Sequence, residues 1–215
     1  FRFYVPINPE ILTADKKLAK KLSENDIGGY FIQESPSKNK MSTISEDRLE
    51  KIENGKKILI CGNGGSSSDS AHIVGELMKG FMLQRETFVA GLKLQKGIPA
   101  IDLTTQSALL SAFSNDCDPS LIYAQEVLAY GSKSKADCLI CLSTSGNSKN
   151  VVNACKVAKE IGLKVISFTG EKESELSKLS DVTLKAPSHE TFRIQEYHLP
   201  IYHYICARVE EHFFS

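Results

Sequence analysis

Short apolar runs bounded by glycine and polar residues alternate along this chain with longer stretches in which apolar positions recur every three to four residues. The runs near 57–61, 99–103, 138–143, 164–169 and 182–186 predict strands. The periodic stretches near 67–81, 105–114, 119–131, 148–162, 173–179 and 190–213 predict helices. Strands that are apolar throughout, rather than at every second position, are buried on both faces, so the alternation reads as a parallel sheet covered by helices. Before it, Ile11 to Leu22 and the segment opening Ser45-Glu-Asp-Arg-Leu read as helices, with polar Glu34-Ser-Pro-Ser-Lys-Asn-Lys as a loop between them. Val89-Ala-Gly-Leu-Lys-Leu-Gln-Lys-Gly fits neither period and is expected to be a loop or crossing segment.

Two loops at strand ends carry candidate chemistry. After Ile58-Leu-Ile-Cys the chain runs Gly62-Asn-Gly-Gly-Ser-Ser-Ser into a helical stretch. Glycines let the backbone approach a ligand, and the free N–H groups of a helix start attract an anion. A Walker loop is excluded because no lysine lies between Lys57 and Lys79. The dinucleotide fingerprint fails at Ser67, where its third glycine belongs. A plain strand-to-helix turn with serine caps is the competing reading. The second loop, Leu142-Ser-Thr-Ser-Gly-Asn-Ser, offers the hydroxyls of Ser143, Thr144, Ser145 and Ser148 to a phosphate without needing a cation. Two such loops at the carboxyl edge of one sheet favour a site between them. One turn into the first helix, His72 and Glu76 are four residues apart and share a face.

Composition narrows the partners. At 215 residues with 41% apolar content, the chain is expected to bury one α/β core, and 26 basic against 26 acidic residues give no reason to expect nucleic acid or an anionic membrane. No apolar run is long enough to span a bilayer, and the first residues lack the pattern of a signal peptide. The six cysteines have no framework spacing and read as reduced thiols of a cytoplasmic protein. Cys138 and Cys141, at an odd offset in one strand, point to opposite faces.

Gly62-Asn-Gly-Gly-Ser, His72 with Glu76, Ser114-Asn-Asp116, Leu142-Ser-Thr-Ser-Gly-Asn-Ser148 and Arg193-Ile-Gln-Glu together resemble the phosphosugar-binding SIS domain family, its phosphoheptose isomerase branch most of all. The likeness covers roughly residues 45–213. It implies a three-layer α-β-α sandwich around a five-stranded parallel sheet, flavodoxin-like, over residues 45–215. Residues 1–44 are expected to be a helical or irregular extension preceding it. It also implies a homotetramer, and the spacing of Gln195 and His203 favours sites at its subunit interfaces. The implied reaction converts sedoheptulose 7-phosphate to D-glycero-D-manno-heptose 7-phosphate. Matched motif by motif, Asn63, Gly64, Gly65 and Ser66 contact substrate, as do Asn115, Asp116 and Gln195. Ser143, Thr144, Ser145 and Ser148 hold the phosphate. His72, Glu76, Gln195 and His203 correspond to the positions that bind zinc in some members, one ion per site. Glu76 is then the base and His203 the proton shuttle.

The chain departs from the family at Lys79-Gly80, where Gly-Arg is common, at Phe192, and in a longer 84–98 segment. Gln195 and His203 pose a geometric problem, because eight residues of one helix are about 12 Å of rise. Either the helix starts after Gln195 or different subunits complete the site. Of the remaining acids and histidines, Asp69 and Glu196 are expected on helix surfaces or caps, His189 in a polar loop, and His198 and His212 in structural or exposed roles. Two other functions compete: a non-catalytic binding protein like the replication-initiator-associating SIS proteins, which lack the helix glutamate, and the sensing domain of a regulator.

Overall fold

The computed structural model describes residues 55–133 and 137–214. The 1–44 extension and both helices expected before the first strand lie outside them. The described elements are β1 (Ile58–Cys61), α1 (Gly65–Met78), β2 (Glu86–Val89), β3 (Leu92–Gln95), β4 (Ala100–Asp102), α2 (Ser107–Asp116), α3 (Ile122–Tyr130), β5 (Cys138–Leu142), α4 (Lys149–Glu160), β6 (Lys164–Thr169), α5 (Glu175–Leu179), β7 (Val182–Lys185) and α6 (Thr191–Phe214). Five of the strands form one parallel sheet in the order β4-β1-β5-β6-β7.

Alternating side chains on these strands feed two separate cores. Ile58, Ile60, Cys138, Ile140, Ile166 and Phe168 pack with Ile73 and Leu77 of α1 and with Tyr202, Cys206 and Val209 of α6. Leu59, Cys61, Leu139, Cys141 and Val165 face the other way, onto Val127 of α3, Val151 and Cys155 of α4 and Leu176 of α5. The sheet is therefore the middle of three layers, and Cys138 and Cys141 do lie on opposite faces. All six cysteines are free thiols, and only Cys117 is exposed. No described helix is long and apolar enough to cross a membrane.

The strand order decides where a ligand can sit. The chain leaves β1 toward β4 on one side, then returns past β1 to β5 on the other. Between β1 and β5 the outgoing connections diverge and open a crevice at the carboxyl edge of the sheet. The glycine loop and the hydroxyl loop are the two connections that flank it. The opposite edge is tied down by Asp137, whose carboxylate accepts from the Lys57 backbone N–H at 2.9 Å, the Lys57 ammonium at 2.6 Å and the Ser132 N–H at 2.9 Å.

Helix boundaries moved where local chemistry overrode periodicity. The first helix starts at Gly65 because Gly64 turns the chain at φ 56°. The stretch expected as one helix from 119 to 131 opens instead with a 3₁₀ turn, Pro119–Leu121, capped by Asp118. The stretch from Val89 to Gly97, expected to be a loop or crossing segment, belongs to a hairpin: β2 pairs antiparallel with β3 across Ala90-Gly91, both at positive φ. That is the geometry of a two-residue hairpin turn, with an alanine where Asn or Asp usually signals it. At its base, buried Arg85 donates to Glu210 of α6 at 2.7 Å.

A second buried acid has no such partner. Glu126 on α3 is 1% exposed, and neither carboxylate oxygen has a hydrogen-bond partner; nor does Oδ2 of buried Asp102. Burial, and after it the charge of Asp102, pushes the Glu126 carboxyl up to about 7 from its ordinary 4.5. The folded protein thus holds a proton that the unfolded chain releases. The associated stability is fully present below pH 4.5 and is lost as pH rises through about 7. By pH 8.5 the loss is about 3 kcal/mol. Glu126→Gln, neutral at every pH, is expected to raise the melting temperature at pH 8.5 by roughly 5–10 °C and to flatten its decline from pH 5. Thermal melts across that range check it; parallel pH profiles for variant and wild type would refute it.

Candidate active site

The glycine loop is shaped by close approaches. Gly62 leaves no room for a side chain above the Ser66 backbone, and a Cβ on Gly65 would fall 2.5 Å from the Gln195 amide nitrogen. Gln195 of α6 therefore seats on the start of α1. Asn63, Gly64 and Gly65 are exposed, whereas Ser66 is 3% exposed, turned inward beneath the loop. In the hydroxyl loop, Ser143 and Ser148 share a hydrogen bond of 2.9 Å, and Ser145 receives the Asn147 N–H at 3.2 Å. Ser143 is buried, Thr144 and Ser148 are half-buried and Ser145 is exposed, so the four hydroxyls are graded in depth. Gly146, at φ 66°, makes the turn that gathers them. Asn115 and Asp116 end α2, exposed and hydrogen-bonded to each other at 2.5 Å. No described contact joins them to the other site residues.

The titratable cluster lies where α1 and α6 face each other. His72 Nε2 is 3.3 Å from Glu76 Oε1 and 3.4 Å from His203 Nε2. The His72 and His203 rings meet edge-on with centroids 5.0 Å apart, and Phe81 stacks on His203 at 5.5 Å. Burial first, then the neighbouring His72, lowers the His203 imidazole below its ordinary value, against the pull of Glu76. A neutral imidazole, able to accept and donate, is the result.

Two further residues, Asp69 and Tyr202, lie beneath this cluster. Tyr202 sits 2.9 Å from His72 Nδ1 and donates to Asp69 Oδ1 at 3.3 Å. A hydroxyl has one hydrogen, and a carboxylate can only accept. With that hydrogen directed at Asp69, the Tyr202 oxygen accepts Nδ1–H of His72, and Nε2 is the ring nitrogen turned toward Glu76 and His203. Burial raises both partners, Asp69 against its contacts with Tyr202 and His72, and Tyr202 with the help of Asp69. Asp69 is thus a half-buried member of this relay rather than a surface or capping charge. The signal for it was its position three residues before His72 on the same helix face.

The other expectations divide. Glu196 pairs with Arg193 on the surface, and His189 with Glu171. His198 is wholly buried, held by its Nε2 on the Thr169 carbonyl at 3.2 Å. Gln195 and His203 both belong to the single helix Thr191–Phe214, so the alternative that the helix starts after Gln195 falls. Within one chain Gln195 reaches Gly65 and His203 reaches His72, a full two turns further along α1. Among the described residues, no group of three or more His, Cys, Asp or Glu side chains closes into a metal cluster.

The family model for the SIS domain matches residues 32–170. The chain belongs to this family. It is 43% identical over 165 residues to the phosphoheptose isomerase of Helicobacter pylori (strain P12), covering 77% of this chain and 80% of that one. To the phosphoheptose isomerase of Aliarcobacter butzleri it is 40% identical over 170 residues, 79% of this chain and 84% of the relative. The solved phosphoheptose isomerase of Neisseria gonorrhoeae superposes with a TM-score of 0.65 at 30% identity, covering 94% of each chain. That of Francisella tularensis gives 0.64 at 27% identity, over 93% of this chain and 98% of the other.

Proposed function

We propose that this SIS domain protein is an aldose–ketose isomerase that converts sedoheptulose 7-phosphate to D-glycero-D-manno-heptose 7-phosphate through an enediolate. One observation carries the reading: a carboxylate and two imidazoles, Glu76, His72 and His203, converge on facing helices whose sheet also presents a lysine-free hydroxyl loop for the phosphate. Relatives at 40–43% identity bear the name of that activity.

The chemistry follows from the groups present. Glu76 takes the proton from C1 of the ketose and returns it to C2. His203, neutral because of burial and His72, moves the hydroxyl proton from one oxygen to the other. The hydroxyl loop and the α4 start bind the phosphate, and the glycine loop brings backbone N–H groups to the sugar.

Zinc is the ion these ligand types suit, though among the described residues the three side chains do not by themselves close into a metal cluster. Tetrahedral ligands at about 2.0–2.1 Å lie roughly 3.3–3.4 Å from one another. The His72–Glu76 and His72–His203 separations are 3.3 and 3.4 Å, with His72 Nε2 the atom common to both. His72, Glu76 and His203 would hold the ion, with Gln195 as a further ligand. When bound, zinc would polarise the substrate carbonyl. Because Gln195 and His203 reach different ends of α1, the glutamine ligand comes from a neighbouring subunit of a homotetramer. Apolar side chains that stand exposed on one chain, Met82, Phe88 and Leu92 among them, support self-association. The free thiols support a cytoplasmic location.

Incubation with sedoheptulose 7-phosphate, with and without zinc, tests the activity; binding without any aldose formed would leave a phosphosugar-binding protein instead. Mixing Gln195→Ala with His203→Ala chains tests the shared site. Hybrid oligomers are expected to regain activity well above either variant alone, and an absence of recovery would place the whole site in one subunit.

A further inference from the structure

The two loops that flank the crevice are clasped together by one pair of amides. Asn63 of the glycine loop donates from Nδ2 to Asn150 Oδ1 at 2.9 Å, and Asn150 Nδ2 donates back to Asn63 Oδ1 at 2.9 Å. The partners are 87 residues apart and lie in the connections that leave β1 and β5, the two strands between which the chain diverges. Asn150 lies in the first turn of α4, two residues after Ser148 of the hydroxyl loop.

The orientation of both amides is determined. The Val151 N–H donates to Asn150 Oδ1 at 3.0 Å, and a backbone N–H can only donate, so that atom must be the oxygen. The Asn150 NH₂ then faces Asn63 and requires an oxygen there. Tyr123 reinforces the arrangement, its hydroxyl donating to the Gly62 carbonyl at 2.8 Å with Asn63 Oδ1 at 3.3 Å. Burial pushes the Tyr123 phenol up to about 12, so it keeps the hydrogen it donates. An asparagine side chain has two N–H groups. One of Asn63's goes to Asn150, leaving one for a ligand on an otherwise exposed residue.

We infer that Asn150 is a positioning residue for the isomerase: it aims the remaining N–H of Asn63 at an acceptor oxygen of the sugar and ties that aim to the phosphate-binding loop. This rests on the function proposed above. Asn150 itself does not touch the reacting atoms. Asn63 meets the sugar equally in ground and transition states, so loss of its aim raises KM and leaves kcat alone. Inorganic phosphate, held by the loop hydroxyls and the backbone N–H groups of the α4 start rather than by the Asn150 side chain, does not sense the change.

A double-mutant cycle on purified protein tests this. Asn150→Ala and Asn63→Ala are each expected to raise KM for sedoheptulose 7-phosphate about three- to tenfold, with kcat within twofold of wild type. The Asn63→Ala/Asn150→Ala double variant should be no worse than Asn63→Ala alone, because Asn150 acts through Asn63. Inhibition by inorganic phosphate should stay unchanged throughout. Asn150→Ser, which keeps a polar side chain on the helix start, repeats the cycle should the alanine variant fold poorly. Additive losses, or weakened phosphate inhibition in Asn150→Ala, would overturn the proposal. Calorimetric Kd values give the same cycle if the wild type binds the sugar phosphate without turning it over, an outcome that refutes the isomerase reading alone. A wild type that neither binds nor converts it refutes both.

Discussion

Glu76→Gln is expected to cut isomerisation by about 10²–10⁴-fold while leaving sugar-phosphate binding within a few-fold of wild type. The amide has the shape of the carboxylate but cannot take a proton from carbon. Its place on α1, one turn beyond His72, keeps it beside the imidazole at 3.3 Å, so the shape survives while the basicity and the negative charge are lost. The phosphate loop belongs to the β5–α4 connection and does not depend on this side chain. Two readouts separate chemistry from binding. Aldose formation should vanish, and solvent deuterium should stop entering the recovered sugar, because both need the same proton transfer. Calorimetric affinity for sedoheptulose 7-phosphate should persist. A variant that still exchanges deuterium at the normal rate would give the base to another residue.

Glu210→Ala is expected to cost about 3–5 kcal/mol, the range for breaking a buried, hydrogen-bonded ion pair. Its carboxylate accepts from the backbone N–H groups of Phe81, Met82 and Leu83 at 2.8, 2.6 and 3.0 Å and from Arg85 Nε at 2.7 Å. Arg85 also donates to the Leu77 carbonyl at 2.9 Å and lies over the Phe214 ring at 4.6 Å. Removing the carboxylate leaves a buried guanidinium and three N–H groups without their acceptor. A melting-temperature drop on the order of 10 °C follows. Replacing both partners with apolar residues should cost less than removing the acid alone, since no charge is then stranded. If Glu210→Ala melts within 2–3 °C of wild type, the pair is not what holds this segment.

The acid dependence of this pair is opposite to that of Glu126. Burial alone would raise the Glu210 carboxyl, but the Met82 and Phe81 N–H groups, Arg85 and the Leu83 N–H together hold it below its ordinary 4.5. Its contribution is therefore present above 4.5 and lost as pH falls through the depressed value. The segment that Glu210 holds carries Phe81 against the His203 ring, so the pair also braces one wall of the active site.

By itself the sequence determined what depends on neighbours along the chain. Continuous apolar runs specified the buried parallel strands, the glycine and hydroxyl loops followed from residue types at strand ends, and a spacing of four put His72 beside Glu76. Ala90 hid the hairpin because an alanine at positive φ carries no local turn signal. Tertiary structure alone decided the pairings across the fold. Tyr202 meets His72 from 130 positions away, Arg85 meets Glu210 from 125, and Asn150 meets Asn63 from 87. Each of these residues has an ordinary solvent-facing or packing reading in its own segment, and only the order of strands and the facing of α1 with α6 bring the partners within bonding distance. Hydrogen bonds and ion pairs act over about 3 Å in space, and local periodicity holds no record of which distant segment will supply the other half.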